Sequence, residues 1–165
     1  MKTLILGIGN PVVGDDAVGI AVANKLKEKN LKNVDVETVN TIGLEIINII
    51  SGYDRVFVVD AVKTKKGKPG EIHKLGLEKI YEINFRVEGK SYFPYNEKLK
   101  QTMKCSVHDI DLLTVLKTGE KLGIKMPEII IYGVEVSSTN RFMEGLSKDA
   151  EDAVPKAVEK IMGEL

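Results

Sequence analysis

The sequence predicts an α/β fold: a three-layer sandwich in which a mostly parallel twisted sheet of about five strands carries helices on both faces. Two observations carry that expectation. Short apolar runs recur along the chain at Thr3-Leu4-Ile5-Leu6, Val56-Phe57-Val58-Val59 and Ile129-Ile130-Ile131, without the alternation of a strand that has one wet face. Segments of helical spacing separate these runs through short connections, and parallel strands need such crossovers.

The first run leads into a glycine-rich turn, Gly7-Ile8-Gly9-Asn10-Pro11-Val12-Val13-Gly14-Asp15-Asp16-Ala17-Val18-Gly19. Its glycines permit backbone geometry that a side chain would forbid. A helix follows, with Ala17, Val18, Ile20, Ala21, Ala23 and Leu26 as its buried face. Asp15 or Asp16 is placed to cap that helix by accepting hydrogen bonds from its first-turn amides. Two successive carboxylates at a turn leaving a strand are equally placed for chemistry, and the sequence leaves both readings open.

Val34 to Val39 alternates charged and apolar residues, the period of an edge or near-edge strand exposed on one face. Leu44 to Ile50 has the apolar density of a short packed helix, and Gly52 offers its stop. Val56 to Val62 reads as a central strand, β-branched and apolar except for Asp60. Residues 63–70 form a basic turn with Gly67, Pro69 and Gly70, and 71–75 a further strand, charged and exposed, that holds His73. From Glu78 to Lys104 no period is sustained, and the segment reads as a variable loop or excursion. Helical spacing resumes after His108, with Ser106 as a candidate cap, and Met126-Pro127 closes the connection to a strand over 128–134. A final helix over 146–161 contains Pro155, which is expected to bend it or split it in two.

A chain of 165 residues is long enough for one substantial core, and residues 1–165 are expected to form a single domain. Its 24 basic and 24 acidic residues balance, which argues against a nucleic-acid partner or a membrane surface. No apolar run approaches spanning length and no signal-peptide pattern opens the chain, so a cytoplasmic protein is expected. Cys105 is the only cysteine, which excludes an internal disulfide and a multi-cysteine zinc site.

Asp60 sits near the carboxyl end of its strand, the edge where open parallel sheets place ligands, and the glycine-rich turn occupies the same end of the first strand. A carboxylate in so apolar a strand is costly to desolvate without a proton, cation or donor beside it, although hydrogen bonds from loop amides would also satisfy it. His108, at the start of a helix, is the better imidazole candidate of the chain's two histidines. Two carboxylates and one imidazole make an oxygen and nitrogen set that leaves coordination positions open. The same glycines superficially suggest dinucleotide binding, but the Gly-x-Gly-x-x-Gly spacing fails at Val12, and two negative charges stand where a pyrophosphate would lie.

Gly-Ile-Gly-Asn-Pro-x-x-Gly-Asp-Asp-x-x-Gly at 7–19, Val-Val-Asp-Ala at 58–61 and Ser-Val-His-Asp at 106–109 together resemble the hydrogenase maturation proteases. The resemblance implies an α/β endopeptidase that removes the C-terminal extension of a nickel–iron hydrogenase large-subunit precursor after nickel insertion. It implies that Asp16, Asp60 and His108 are the metal-contacting and catalytic residues, Asp16 standing where the family commonly has glutamate. The nickel is then substrate-borne, with other divalent metals able to substitute, and a carboxylate or metal-polarised water supplies the nucleophile. Asp15 is a candidate general base, and Asn10 with the amides of the turn a candidate oxyanion cradle. A monomer is expected. The alternative is a non-catalytic module or chaperone that holds a nickel-loaded partner without cutting it.

Overall fold

The structure, a computed structural model, describes residues 1–64, 67–76, 112–137 and 145–165. Five strands, β1 (Thr3–Ile8), β2 (Val34–Val39), β3 (Arg55–Val62), β4 (Ile72–Gly76) and β5 (Glu128–Glu135), form one sheet in the order β2-β1-β3-β5-β4. The helices are α1 (Val18–Lys27), α2 (Glu45–Ile50), α3 (Leu112–Lys121) and α4 (Lys148–Met162), with a 3₁₀ turn at Gly14–Ala17 before α1. Every pairing is parallel except that of β4 with β5. The exception has a simple cause: residues 63–71 are too few to hold a crossover helix, so the chain turns back and β4 joins the edge in the opposite sense.

β3 lies at the centre, as its apolar composition requires, and alternation along it divides the core in two. Phe57, Val59 and Ala61 face α1 and α4, where Val22, Leu26, Ala153 and Ile161 are buried. Val56 and Val58 face the other way, toward Ile46 and Ile50 of α2 and Val115 and Leu116 of α3. β2 is an edge among the described strands, and Asp35 and Glu37 point to solvent, charges that discourage edge-to-edge pairing.

α4 runs unbroken through Pro155, contrary to the expected split. Pro155 and Glu151 are both exposed, so the carbonyl that the missing N–H leaves behind faces water. Ala150, Ala153, Val154, Ala157, Val158 and Ile161 hold the apolar face against the sheet on either side of the proline.

α1 meets the sheet at glycines. A Cβ at Gly19 would stand 2.3 Å from the carbonyl oxygens of both Ile8 and Val59, and one at Gly7 would stand 2.5 Å from the carbonyl oxygen of Gly19. Both neighbours are backbone and have nowhere to yield. Gly19→Ala is therefore expected to destabilise the fold by about 1–3 kcal/mol, the usual range for forcing atoms into a packed interior, read from the midpoint of urea denaturation.

Two tyrosines couple the fold to alkaline pH. Partial burial, the hydrogen bond from its hydroxyl to Asp35 at 2.8 Å and the nearby acidic charge raise Tyr53 from its ordinary value of 10.0 to about 12. Burial and a hydrogen bond to Glu164 push Tyr132 up as well. A raised value means that the folded state holds its proton more tightly than the unfolded chain. The stability this supplies is complete below pH 10 and is lost as pH climbs through about 12. Titration by tyrosinate absorbance, followed with circular dichroism, is expected to show late ionisation of Tyr53 and Tyr132 that accompanies unfolding, and Tyr53→Phe removes one late phenol.

Candidate active site

The sheet order places a crevice between β1 and β3. From β1 the chain crosses through α1 to β2 on one side, and from β2 it crosses back through α2 to β3 on the other. α1 and α2 thus cover opposite faces, and the strand ends between them form the topological switch point where open α/β sheets bind ligands. The 3₁₀ turn that carries Asp15 and Asp16 follows β1 and packs against β3. β1 and β3 run in register with Gly7 beside Val59, which sets Asp60 next to the last residue of β1.

The turn is closed by its own backbone. Asp16 N–H donates to the Val13 carbonyl at 3.1 Å, and Val13 N–H to the Asn10 carbonyl at 3.1 Å. Gly9, at φ 151°, passes so near the turn that a Cβ there would lie 1.9 Å from the Asp16 carbonyl oxygen. Inside the loop, Asp16 Oδ2 accepts the Asn10 N–H at 2.8 Å, and Asn10 Oδ1 accepts the Val12 N–H at 3.1 Å. Asp16 is 2% exposed and Asp60 4%. Asp60 Oδ1 accepts the N–H of Ala61 at 2.8 Å, and alternation with Val56 and Val58 directs its side chain to the face covered by α2 and α3.

Two sequence expectations change here. Neither Asp15 nor Asp16 caps a helix: the 3₁₀ turn and α1 both begin without a side-chain cap. Asp16 is drawn inward by Asn10, and Asp15 reaches Ser147, its Oδ1 accepting the Ser147 N–H at 2.6 Å and its Oδ2 the Ser147 hydroxyl at 2.9 Å. The Asn10 backbone N–H, one of the turn amides offered as oxyanion donors, is committed to Asp16. His108, Cys105, Ser106 and the 78–104 stretch lie outside the described residues.

The residue that sequence reasoning passed over is Glu135. It ends β5 with only 1% exposure. Its Oε1 accepts the Thr64 N–H at 2.6 Å and its Oε2 lies 3.0 Å from His73 Nε2. His73 is therefore half-buried and partnered, not the solvated strand residue expected of it. The signal was the one that flagged Asp60, a carboxylate near the end of an otherwise apolar strand. His73 pairs across the ladder with Gly133, and Gly133 with Asp60, so the three stand in one row over three strands. Among the described residues, no group of three or more His, Cys, Asp and Glu side chains is arranged to hold a metal ion.

The family model for hydrogenase maturation proteases matches residues 20–88 and 89–164. The chain belongs to that family. A Methanocaldococcus jannaschii protein assigned to hydrogenase maturation proteases is 30% identical over 165 residues, covering 98% of this chain and 95% of its own. The Escherichia coli Hydrogenase 2 maturation protease is 25% identical over 167 residues, covering 100% of this chain and 91% of its own. The structure of the [NiFe] hydrogenase maturation protease HybD from Thermococcus kodakarensis superposes with a TM-score of 0.71 at 27% identity, over 99% of this chain and 98% of that one. The protease is an endopeptidase, which sets aside both the dinucleotide and the non-catalytic readings. No described helix is long and apolar enough to cross a membrane.

Glu135 joins β5, the β3–β4 connection and β4 through one carboxylate. Glu135→Ala leaves the Thr64 amide and the His73 ring without their acceptor and is expected to cost about 1–3 kcal/mol, read by urea denaturation. Glu135→Gln, which keeps an acceptor oxygen, is expected to cost less.

Proposed function

We propose that the protease removes the C-terminal extension of a nickel–iron hydrogenase large-subunit precursor once nickel has been inserted, and that Asp16, Asp60 and His108 recognise that nickel. The observation that carries this reading is the placement of two buried carboxylates, Asp16 and Asp60, at the one switch point of the sheet. Burial of two such groups is favourable only when donors or a cation compensate their desolvation.

The path of the chain supports His108 as the third member. α3 begins at Leu112, four residues beyond His108, and packs on the face toward which Asp60 points. Its other end feeds β5 at the amino-terminal edge of the sheet, so its start is directed toward the carboxyl-terminal edge. Two carboxylates and an imidazole suit a borderline cation and leave positions for ligands that the precursor itself supplies. An incomplete set of this kind distinguishes a loaded precursor from an empty one, because the protease grips nickel only where the substrate already holds part of its shell.

In this reading the nickel is part of the substrate and polarises the water or the scissile carbonyl. Asp16 and Asp60 align the bound peptide so that attack on the carbonyl carbon becomes effectively intramolecular. The backbone bonds that close the 9–16 turn hold Asp16 in place before substrate arrives.

Incubation of the protease with nickel-loaded precursor is expected to yield a shortened large subunit by mass spectrometry, and nickel-free precursor none. Asp16→Ala, Asp60→Ala and His108→Ala are each expected to slow cleavage by about 100-fold or more, with circular dichroism unchanged. Full processing by Asp60→Ala would remove the proposed site.

A further inference from the structure

Asp15 is the buried carboxylate at the switch point that the proposed chemistry leaves without a task. It is 7% exposed, and both of its oxygens are taken by one residue 132 positions away. Ser147 is the N-cap of α4: its hydroxyl oxygen accepts the Ala150 N–H at 3.4 Å while its single proton goes to Asp15 Oδ2 at 2.9 Å. The Ser147 amide, one of the donors that a helix start leaves outside its own ladder, goes to Asp15 Oδ1 at 2.6 Å. α4 in turn is packed along the sheet beside α1.

The 3₁₀ turn is therefore held from two sides. On its inner side Asp16 is bonded to the Asn10 amide, and on its outer side Asp15 is bonded to α4. A single 3₁₀ turn has little rigidity of its own, and its two acidic residues are adjacent, so a shift of Asp15 moves Asp16 with it. We propose that Asp15 is a positioning residue: its paired bonds to Ser147 anchor the turn to the start of α4 and so determine where the Asp16 carboxylate stands. It carries no proton in the reaction. This rests on the role given to Asp16 above.

Asparagine and alanine at position 15 separate the two possible roles. In Asp15→Asn the side-chain oxygen still accepts the Ser147 amide, and the new NH₂ donates to the second lone pair of the Ser147 hydroxyl; the anchor survives while the base is gone. Cleavage of nickel-loaded precursor by the full chain is measured for Asp15→Ala, Asp15→Asn, Ser147→Ala and Asp15→Ala/Ser147→Ala, with thermal unfolding alongside. Asp15→Ala is expected to lower kcat about 10-fold or more with KM within about twofold, and Asp15→Asn to stay within about threefold of the parent. The double variant is expected to be no slower than Asp15→Ala, because the two residues act through the same bonds. Asp15→Asn as slow as Asp15→Ala, with both folded, would overturn the proposal, as would an Asp15→Ala enzyme of full activity.

A second readout is independent of cleavage and of whether Asp15→Ala folds. The Asn10 amide resonance reports the bond to Asp16, and Ser147 is remote from both in sequence. Ser147→Ala is expected to shift the Asn10 amide and Asp16 carboxyl carbon resonances in NMR spectra of the free protein; unchanged resonances overturn the anchor. Precursor left uncut by the parent protein counts against the proposed function, while the resonance shift still decides the role of Asp15.

Discussion

The contact on which the rest of the structure depends is the seating of α1 against the ends of β1 and β3. Gly19 lies directly over the carbonyls of Ile8 and Val59, and Gly7 lies under Gly19, so helix and strands approach until backbone touches backbone. Because the helix begins there, the chain leaving β1 has to fold into a compact loop before reaching it. That loop is the 9–16 turn, and its inward-facing residue is Asp16. The crevice between β1 and β3 is thus a consequence of how closely two glycines allow a helix to dock, and the carboxylates at its mouth are placed by the same contact.

Among the described residues, four buried carboxylates gather at the carboxyl-terminal edge of this sheet, and their partners separate them. Asp15 and Glu135 each have both oxygens hydrogen-bonded to groups distant in sequence, and each ties a connection to a neighbouring element. Asp16 and Asp60 each accept a backbone amide close along the chain, that of Asn10 and that of Ala61. Burial alone would not have told these pairs apart, since all four are nearly inaccessible. What differs is the reach of these bonds: those of Asp15 and Glu135 join elements far apart in the chain, and those of Asp16 and Asp60 include a near neighbour along it.

Much of this was legible in advance. The unbroken apolar runs of β1, β3 and β5 marked a sheet covered on both faces, the alternation over Val34–Val39 marked an edge, and Asp60 stood out against its strand. Local pattern misled where local and tertiary demands compete. Asp15 followed by a helix reads as a cap, but the amide and hydroxyl it meets belong to Ser147, the N-cap of α4. Pro155 reads as a break, but the apolar face on both sides of it packs well enough to carry the helix through. His73 reads as a solvated strand residue because its neighbours along the chain are charged, whereas its side chain meets a buried glutamate, Glu135, on the adjacent strand.

By itself the sequence determined the fold class, the order of elements, the family and the residue types at the ends of β1 and β3, because hydrophobic period, glycine spacing and short motifs are properties of neighbouring residues. Only the tertiary structure decided which groups each carboxylate meets. Asp15 meets Ser147 across 132 positions and Glu135 meets Thr64 and His73 across 71 and 62, distances over which no local pattern carries information. Hydrogen bonds between such residues exist only once the sheet has closed and brought their elements within 3 Å of one another.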